Sequence, residues 1–290
     1  MSNVSENSVP SPAAVPSQTA RTGMSTRNRI LFFLTAWFIV LLPFLFWRST
    51  WFGRPLSEEK VGEYLHDESK PRQIQHALVQ IGERMGRRDP GVAKWYPEVA
   101  RLSGHRVEEI RITSAWVMGQ DPAHGAFREV LRRMLDDPAF MVRGNAALSL
   151  VSFGDDAGRA QILAMLEPLV VTAPAAGRIA AIAKAGEPIR QGTLIAQMES
   201  GGEVRSPITG RLRTVAVAAG DEVAVGAKLA TMEPGTEQVW EALRALYLIG
   251  REEDLPVVQR YERETPQYPQ RIVQQARLTE QAIRERSSRP

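Results

Sequence analysis

Four histidines, the adjacent carboxylates Asp67-Glu68 and Asp155-Asp156, and a double glycine are candidates, by residue type and spacing, for chemistry in this chain. His66, His76, His105 and His124 would serve as metal ligands or general bases if the fold gathered them. None forms an H-x-x-x-H pair, and His66 and His76 stand ten residues apart, so they read as surface or turn histidines. Asp67-Glu68 and Asp155-Asp156 have the types needed for an acid/base pair. Adjacent carboxylates at turns are, however, ordinarily solvated caps. Gly201-Gly202 would cradle a phosphate only between a strand and a helix and with a following Lys-Ser/Thr, which is absent. There is no serine nucleophile elbow. The chain has no cysteine, which excludes disulfides, thiolate metal sites and Cys nucleophiles. No catalytic residue, metal ligand or cofactor site is therefore assigned, and the chain is read as a non-enzyme.

The double glycine belongs to a pattern written twice. The first copy is Ala173-Pro174, Gly177, Gly186-Glu187, Gly192 and Leu194-Ile195-Ala196-Gln197-Met198-Glu199. The second is Ser206-Pro207, Gly210, Gly220-Asp221, Gly226 and Lys228-Leu229-Ala230-Thr231-Met232-Glu233. The offset is 33 residues at the first glycine and 34 from the second onward. Such a duplication implies two equivalent strand sets folded on each other. Short strands are predicted at Leu169–Val171, Gly177–Ile179, Thr193–Met198, Glu203–Val204, Gly210–Val217 and Lys228–Met232, between Gly/Pro turns. The repeated glycines supply positive-φ corners, with Ile or Val pointing inward between them.

The paired motifs and Ser206-Pro207-Ile208-Thr209-Gly210 resemble the biotinyl/lipoyl carrier domain, and the lipoyl-like part of HlyD-type adaptors, over about 65 residues. In carrier members a lysine eight residues before that proline takes the prosthetic group at a hairpin tip. Here that position is Glu199, whose carboxylate cannot form the amide, and the segment's lysines, Lys184 and Lys228, fall elsewhere. The resemblance thus implies an unmodified barrel-sandwich with no cofactor. Its tip, Glu199, Ser200, Gly201 and Gly202, becomes the candidate partner-binding site. HlyD-type adaptors place a long helical hairpin between the half-motifs, whereas the join here is Ser200-Gly201-Gly202, so the likeness extends to the barrel and the membrane anchor and not to the whole adaptor.

These strands interrupt a helical pattern. Ile74, Ala77-Leu78 and Ile81-Gly82 lead to Val99-Ala100 and Leu102; Ile112 and Ala115–Met118 lead to Phe127, Val130-Leu131 and Met134-Leu135. A third unit runs from Val142-Arg143, Ala146-Ala147 and Leu150 to Ile162-Leu163 and Met165-Leu166. Asp89-Pro90, Asp121-Pro122 and Asp137-Pro138 punctuate the turns. The pattern resembles HEAT repeats, most closely at Val142-Arg143-x-x-Ala146-Ala147-x-x-Leu150 with Gly154-Asp155. It resumes at Val239, Ala242-Leu243 and Leu248-Ile249-Gly250, and a last helix is predicted from about Gln270 to Arg286. Because a helix pair cannot bury its apolar face alone, the units on either side of the strands should stack across them.

Residues 1–27, rich in Ser, Pro, Ala and Thr, are read as a disordered tail. Ile30 to Trp47 carries no charge and as a helix would reach about 27 Å, so 28–51 is read as a transmembrane anchor. With 43% hydrophobic residues and a formal net charge of only +3, mixed throughout, the remainder is globular and is not expected to bind nucleic acid. The expected fold class is α+β and multidomain: the anchor, HEAT-like repeats over 56–167, a lipoyl/biotinyl-like β domain over 168–234 and a repeat continuation over 235–288. The expected function is a scaffold or adaptor in an envelope complex, in transport or secretion. It would be single-pass in the inner membrane with a periplasmic body, touching the lipid bilayer and protein partners. The alternative is a biotin- or lipoyl-type carrier subunit with an atypical attachment site.

Overall fold

Residues 26–49 and 55–288 are described by a computed structural model in two units, Met1–Pro55 and Leu56–Pro290. The first unit contributes helix α1 (Thr26–Ser49), whose Ile30, Phe32, Phe33, Trp37 and Ile39 are exposed. Residues 1–25, where most of the expected tail falls, and 50–54 lie outside the described residues.

Among the described residues no helix is long and apolar enough to cross a membrane. This corrects the anchor expected over 28–51, and with it the membrane part of the fold class, the inner-membrane location and the periplasmic orientation.

The second unit mixes helix and sheet. Ser57 starts it by accepting the Lys60 N–H at 3.3 Å, with Glu58 and Glu59 in the first turn opposing the helix dipole. Then follow α2 (Glu58–His66), α3 (Pro71–Gly86), a 3-10 turn (Pro90–Trp95), α4 (Tyr96–Leu102), α5 (Glu108–Met118), α6 (Gly125–Met134), α7 (Phe140–Ser152) and α8 (Arg159–Ala164). After eight strands come α9 (Thr236–Ile249), α10 (Leu255–Gln259) and α11 (Gln270–Ser287). Helices α3, α5, α7, α9 and α11 stack side by side in one row, and α4, α6, α8 and α10 pack against it as a second. Periodicity explains the row: Ile74, Ala77, Leu78 and Ile81 of α3 lie at i, i+3, i+4 and i+7, and all are buried. Val239, Ala242, Leu243 and Leu246 of α9 join the same hydrophobic core as Val142, Ala146 and Leu150 of α7. The strands therefore leave the helical core undivided.

Aspartates stitch the helix pairs. Asp89, Asp121, Asp137 and Asp155 each accept the backbone N–H two residues on, and each also takes a side-chain donor from a helix. The donors are Arg84, Tyr96, Arg111 and Arg132 in that order, at 2.7, 2.5, 2.8 and 2.8 Å. The rung that crosses the strand segment is the most buried: Arg159 holds Asp254 through two bonds of 2.8 and 2.5 Å, and Asp254 is 1% exposed.

The strands are β1 (Leu169–Thr172), β2 (Gly177–Ile182), β3 (Pro188–Ile189), β4 (Leu194–Met198), β5 (Glu203–Arg205), β6 (Gly210–Val215), β7 (Glu222–Val223) and β8 (Lys228–Pro234). They form two antiparallel sheets, β1-β8-β6-β3 and β5-β4-β2-β7. Exchanging each strand of the first sequence copy for its partner in the second converts one sheet order into the other. Each half thus lends two strands to each sheet, and neither half can close without its twin. The equivalence extends to detail: β2 and β6 share one burial pattern, with Ile179 and Leu212 inward. Gly186 and Gly220 have φ of +88° and +94°. Phe140 packs against both the helical and the sandwich cores, which seats the sandwich at the start of α7.

Candidate functional sites: a free sandwich corner and a groove beside it

The candidate tip residues form the turn between β4 and β5. Inward-facing Ile195, Ala196 and Met198 anchor β4, and the next four residues, Glu199, Ser200, Gly201 and Gly202, are all exposed. Met198 donates its N–H to the Gly202 carbonyl at 2.7 Å, and its own carbonyl accepts from Gly201 at 3.0 Å. Gly201 makes this possible at φ +88°, a left-handed conformation in which a side chain would be strained. Gln197 donates to the carbonyls of Gly201 and Gly202 at 3.1 and 3.3 Å, and Glu199 N–H donates to the Arg178 carbonyl at 2.9 Å. The tip is a pinned turn carrying a carboxylate. Lys184 lies between β2 and β3, and Lys228 begins β8 opposite Thr172, so neither stands in this turn.

The symmetry-equivalent corner, Glu233-Pro234-Gly235, has a different fate because the chain runs on into α9. There the Pro234 carbonyl accepts from Gln267 at 3.1 Å and Tyr268 at 3.0 Å, and Gly235 donates to the Thr209 carbonyl at 3.0 Å. One corner of the duplicated sandwich is bolted to helices and the other is free.

Where the sandwich meets the row, α7 and α9 pack less closely than the other neighbours in it. Two contiguous cavities open between them. One of about 360 Å³ touches the sandwich and is lined by Met141, Asn145, Met165, Gln191, Glu237 and Glu241, among others. The second, about 510 Å³, continues along both helices past Val151, Arg244, Tyr247 and Leu248 to Leu278 of α11. Leu148 and Glu241 line both. Sequence reasoning missed this groove. Its only signals were apolar residues on otherwise polar helix faces, Tyr247, Leu248 and Leu278, which are 43%, 59% and 52% exposed.

The other candidate residues are dispersed. His66 Nδ1 lies 2.8 Å from the Gly62 carbonyl, His76 contacts Gln80, His105 Nδ1 accepts the Val107 N–H at 3.0 Å, and His124 packs between Tyr96 and Phe127. Among the described residues no group of three or more His, Cys, Asp or Glu could hold a metal ion. Asp67 and Glu68 pair with Lys70 and Arg101, and Asp156 pairs with Arg251, so these carboxylates cap turns and bind arginines or lysine.

One carboxyl pair was not anticipated. Glu262, half-buried in the loop before α11, faces Glu280, which also accepts from Gln259 at 2.8 Å and Arg284 at 2.6 Å. Burial and the hydrogen bond with Glu280 push Glu262 up to about 7. The proton on Glu262, with Arg284 and Gln259, holds Glu280 down at about 2. A folded Glu262 keeps a proton that the unfolded chain loses above 4.5, so stability falls as pH rises from 4.5 through 7. Glu280 contributes in the opposite direction, and its share is lost only as pH falls below 4.5 toward 2. Glu262→Gln keeps the donor without the titration. Urea unfolding at pH 5 and pH 8 should show the variant gaining on the parent at pH 8, on the order of 1 kcal/mol after solvent screening. Equal pH slopes in the two proteins would refute the shared proton.

No protein-family model matches this chain, and no curated protein matches it. Function therefore rests on the residues and their geometry.

Proposed function

We propose that this protein is a scaffold or adaptor that binds protein partners through its helical row and the free corner of its sandwich. In this reading the row is a HEAT-like array, interrupted by a lipoyl-type barrel that carries no prosthetic group. The observation that carries it is the asymmetry of the duplicated sandwich. One corner is held to the helices by Gln267 and Tyr268, while the equivalent corner presents Glu199-Ser200-Gly201-Gly202 to solvent. A pinned glycine turn lets another backbone approach closely, and stacked helices offer an extended surface to a partner. Glu199 also stands where a swinging-arm protein needs an amine.

Isolating the tagged full chain from its native cells, with crosslinking before lysis, should recover a stoichiometric partner crosslinked near the tip or the row. A strictly solitary protein would overturn the scaffold reading. The carrier alternative predicts a defined mass increment on a lysine, and intact mass of the same preparation separates the two.

A further inference from the structure

The bolt on the sandwich corner is built from the loop between α10 and α11. Tyr261 opens that loop; its hydroxyl donates to the Leu166 carbonyl at 2.6 Å, and its ring meets Tyr268 edge-on with centroids 5.0 Å apart. Thr265 and Tyr268 then exchange backbone hydrogen bonds, both of 3.1 Å, which closes a turn. The turn presents Gln267 and Tyr268 to the sandwich, where both donate to the Pro234 carbonyl. Thr236, at the start of α9, donates back to the Gln267 carbonyl at 3.1 Å. Whatever holds this loop in place therefore holds the corner.

Glu262 follows Tyr261 directly and fastens the loop to α11. Its N–H donates to the Gln259 carbonyl at 3.2 Å, and its carboxyl group is hydrogen-bonded to that of Glu280. The Oε1 atom of Glu262 is buried and has no hydrogen-bond partner among the described residues. Glu280 is already supplied with donors, Gln259 at 2.8 Å and Arg284 at 2.6 Å. Two carboxyl groups bond each other only through a proton, and here it belongs on Glu262, the member without other donors. The groups facing it are Glu280, Arg277 and Arg284 of α11 and Gln259 of α10. Burial and the Glu280 charge favour the neutral acid, and the two arginines oppose them with smaller effect. Loss of the proton replaces a hydrogen bond with two like charges in contact. The N–H of Glu262 is tied to α10, so the repulsion is relieved by lifting the loop from α11.

We propose that the Glu262–Glu280 pair is a proton-operated latch between the helices and the sandwich. With the proton in place, the loop stays down and Gln267 and Tyr268 hold the Pro234 carbonyl; with both carboxylates ionised, the loop lifts and the corner works loose. The direction follows from the sign of the shift. Glu262 is held above its ordinary range in the closed loop and returns to it in the open one, so closure is fully supported below 4.5 and loses support as pH rises through about 7. Glu280 is held low and adds no slope in that window. The latch goes beyond the scaffold reading and does not depend on it.

Amide hydrogen exchange of the full chain at pH 5 and pH 8, corrected for the intrinsic pH dependence of exchange, reads the latch. The reporters are the N–H groups of Tyr268 and Gly235, bonded to the Thr265 and Thr209 carbonyls. Their protection should fall about fivefold from pH 5 to pH 8. The Met198 N–H, bonded to the Gly202 carbonyl at the free corner, opens without Glu262 and should not change. Glu262→Gln keeps a donor toward Glu280 without a titrating group and should retain the pH 5 protection at pH 8. Glu280→Gln removes the second charge and should do the same, so the test survives if either variant folds poorly. No fall in the parent, or the same fall in both variants, would overturn the latch. Protection at Gly235 equal to that of the α9 core at pH 8 would overturn it too, since the loop would then open only with the whole fold.

Discussion

Asp254→Ala is expected to lower the unfolding free energy by about 3 kcal/mol, the largest effect of any single ion-pair deletion in this protein. Asp254 is 1% exposed, accepts two bonds from Arg159 and receives the Arg251 N–H at 2.8 Å. Its removal leaves Arg159, whose side chain is 17% exposed, facing only the solvated Glu253. A half-buried guanidinium without its carboxylate loses far more than a surface pair does, because desolvation is no longer offset. The comparison is Asp156→Ala, which removes an exposed pair with Arg251 at 2.5 Å and should change little. Urea unfolding of both variants decides the matter. If the two cost the same, the rung across the strand segment is not what holds α8 to the helices beyond it. Asp254→Ala should also leave the sandwich formed while loosening α9, so hydrogen exchange ought to rise first in α9 and α10.

Gly210→Ala is expected to cost about 3 kcal/mol by overpacking at a backbone contact. Gly210 opens β6, and a methyl group there would overlap the Glu233 carbonyl of β8. Both atoms belong to the main chain, so no rotamer change relieves the clash and the strand pair must shift. Gly186→Ala is the control: it has positive φ but nothing within 4 Å of the added methyl, so only local strain of about 1 kcal/mol is expected. Gly210 lies beside the Thr209–Gly235 bond that leads into α9, so the variant should also disturb the sandwich end of the groove. Chemical denaturation of the two alanine variants, followed by amide exchange in β6 and β8, gives the answer. Equal losses in the two proteins would show that the close approach carries no energetic weight.

Much of this architecture was legible in the amino acids. Spacing of Ile74, Ala77, Leu78 and Ile81 marks the buried face of α3, since apolar residues at three- and four-residue intervals share one side of a helix. The Asp-Pro pairs mark turns because an Asx cap and a proline both halt a helix there. The glycine duplication marks the two-sheet sandwich, with matching positive-φ corners at Gly186 and Gly220. Glu199 in an exposed turn also follows from that alignment. The span inferred from Ile30–Trp47 does not stand: among the described residues no helix is long and apolar enough to cross a membrane.

Local order alone determined the elements of this protein: helix faces, turn caps and twin strand sets all arise from side chains within a few residues of one another. Tertiary structure alone decided which of two equivalent sandwich corners would be bolted down, that Arg159 would meet Asp254 across 95 positions, and that α7 and α9 would stand apart as a groove. Those outcomes depend on long-range closure. No short window of sequence records where a chain that leaves a helix for eight strands will return.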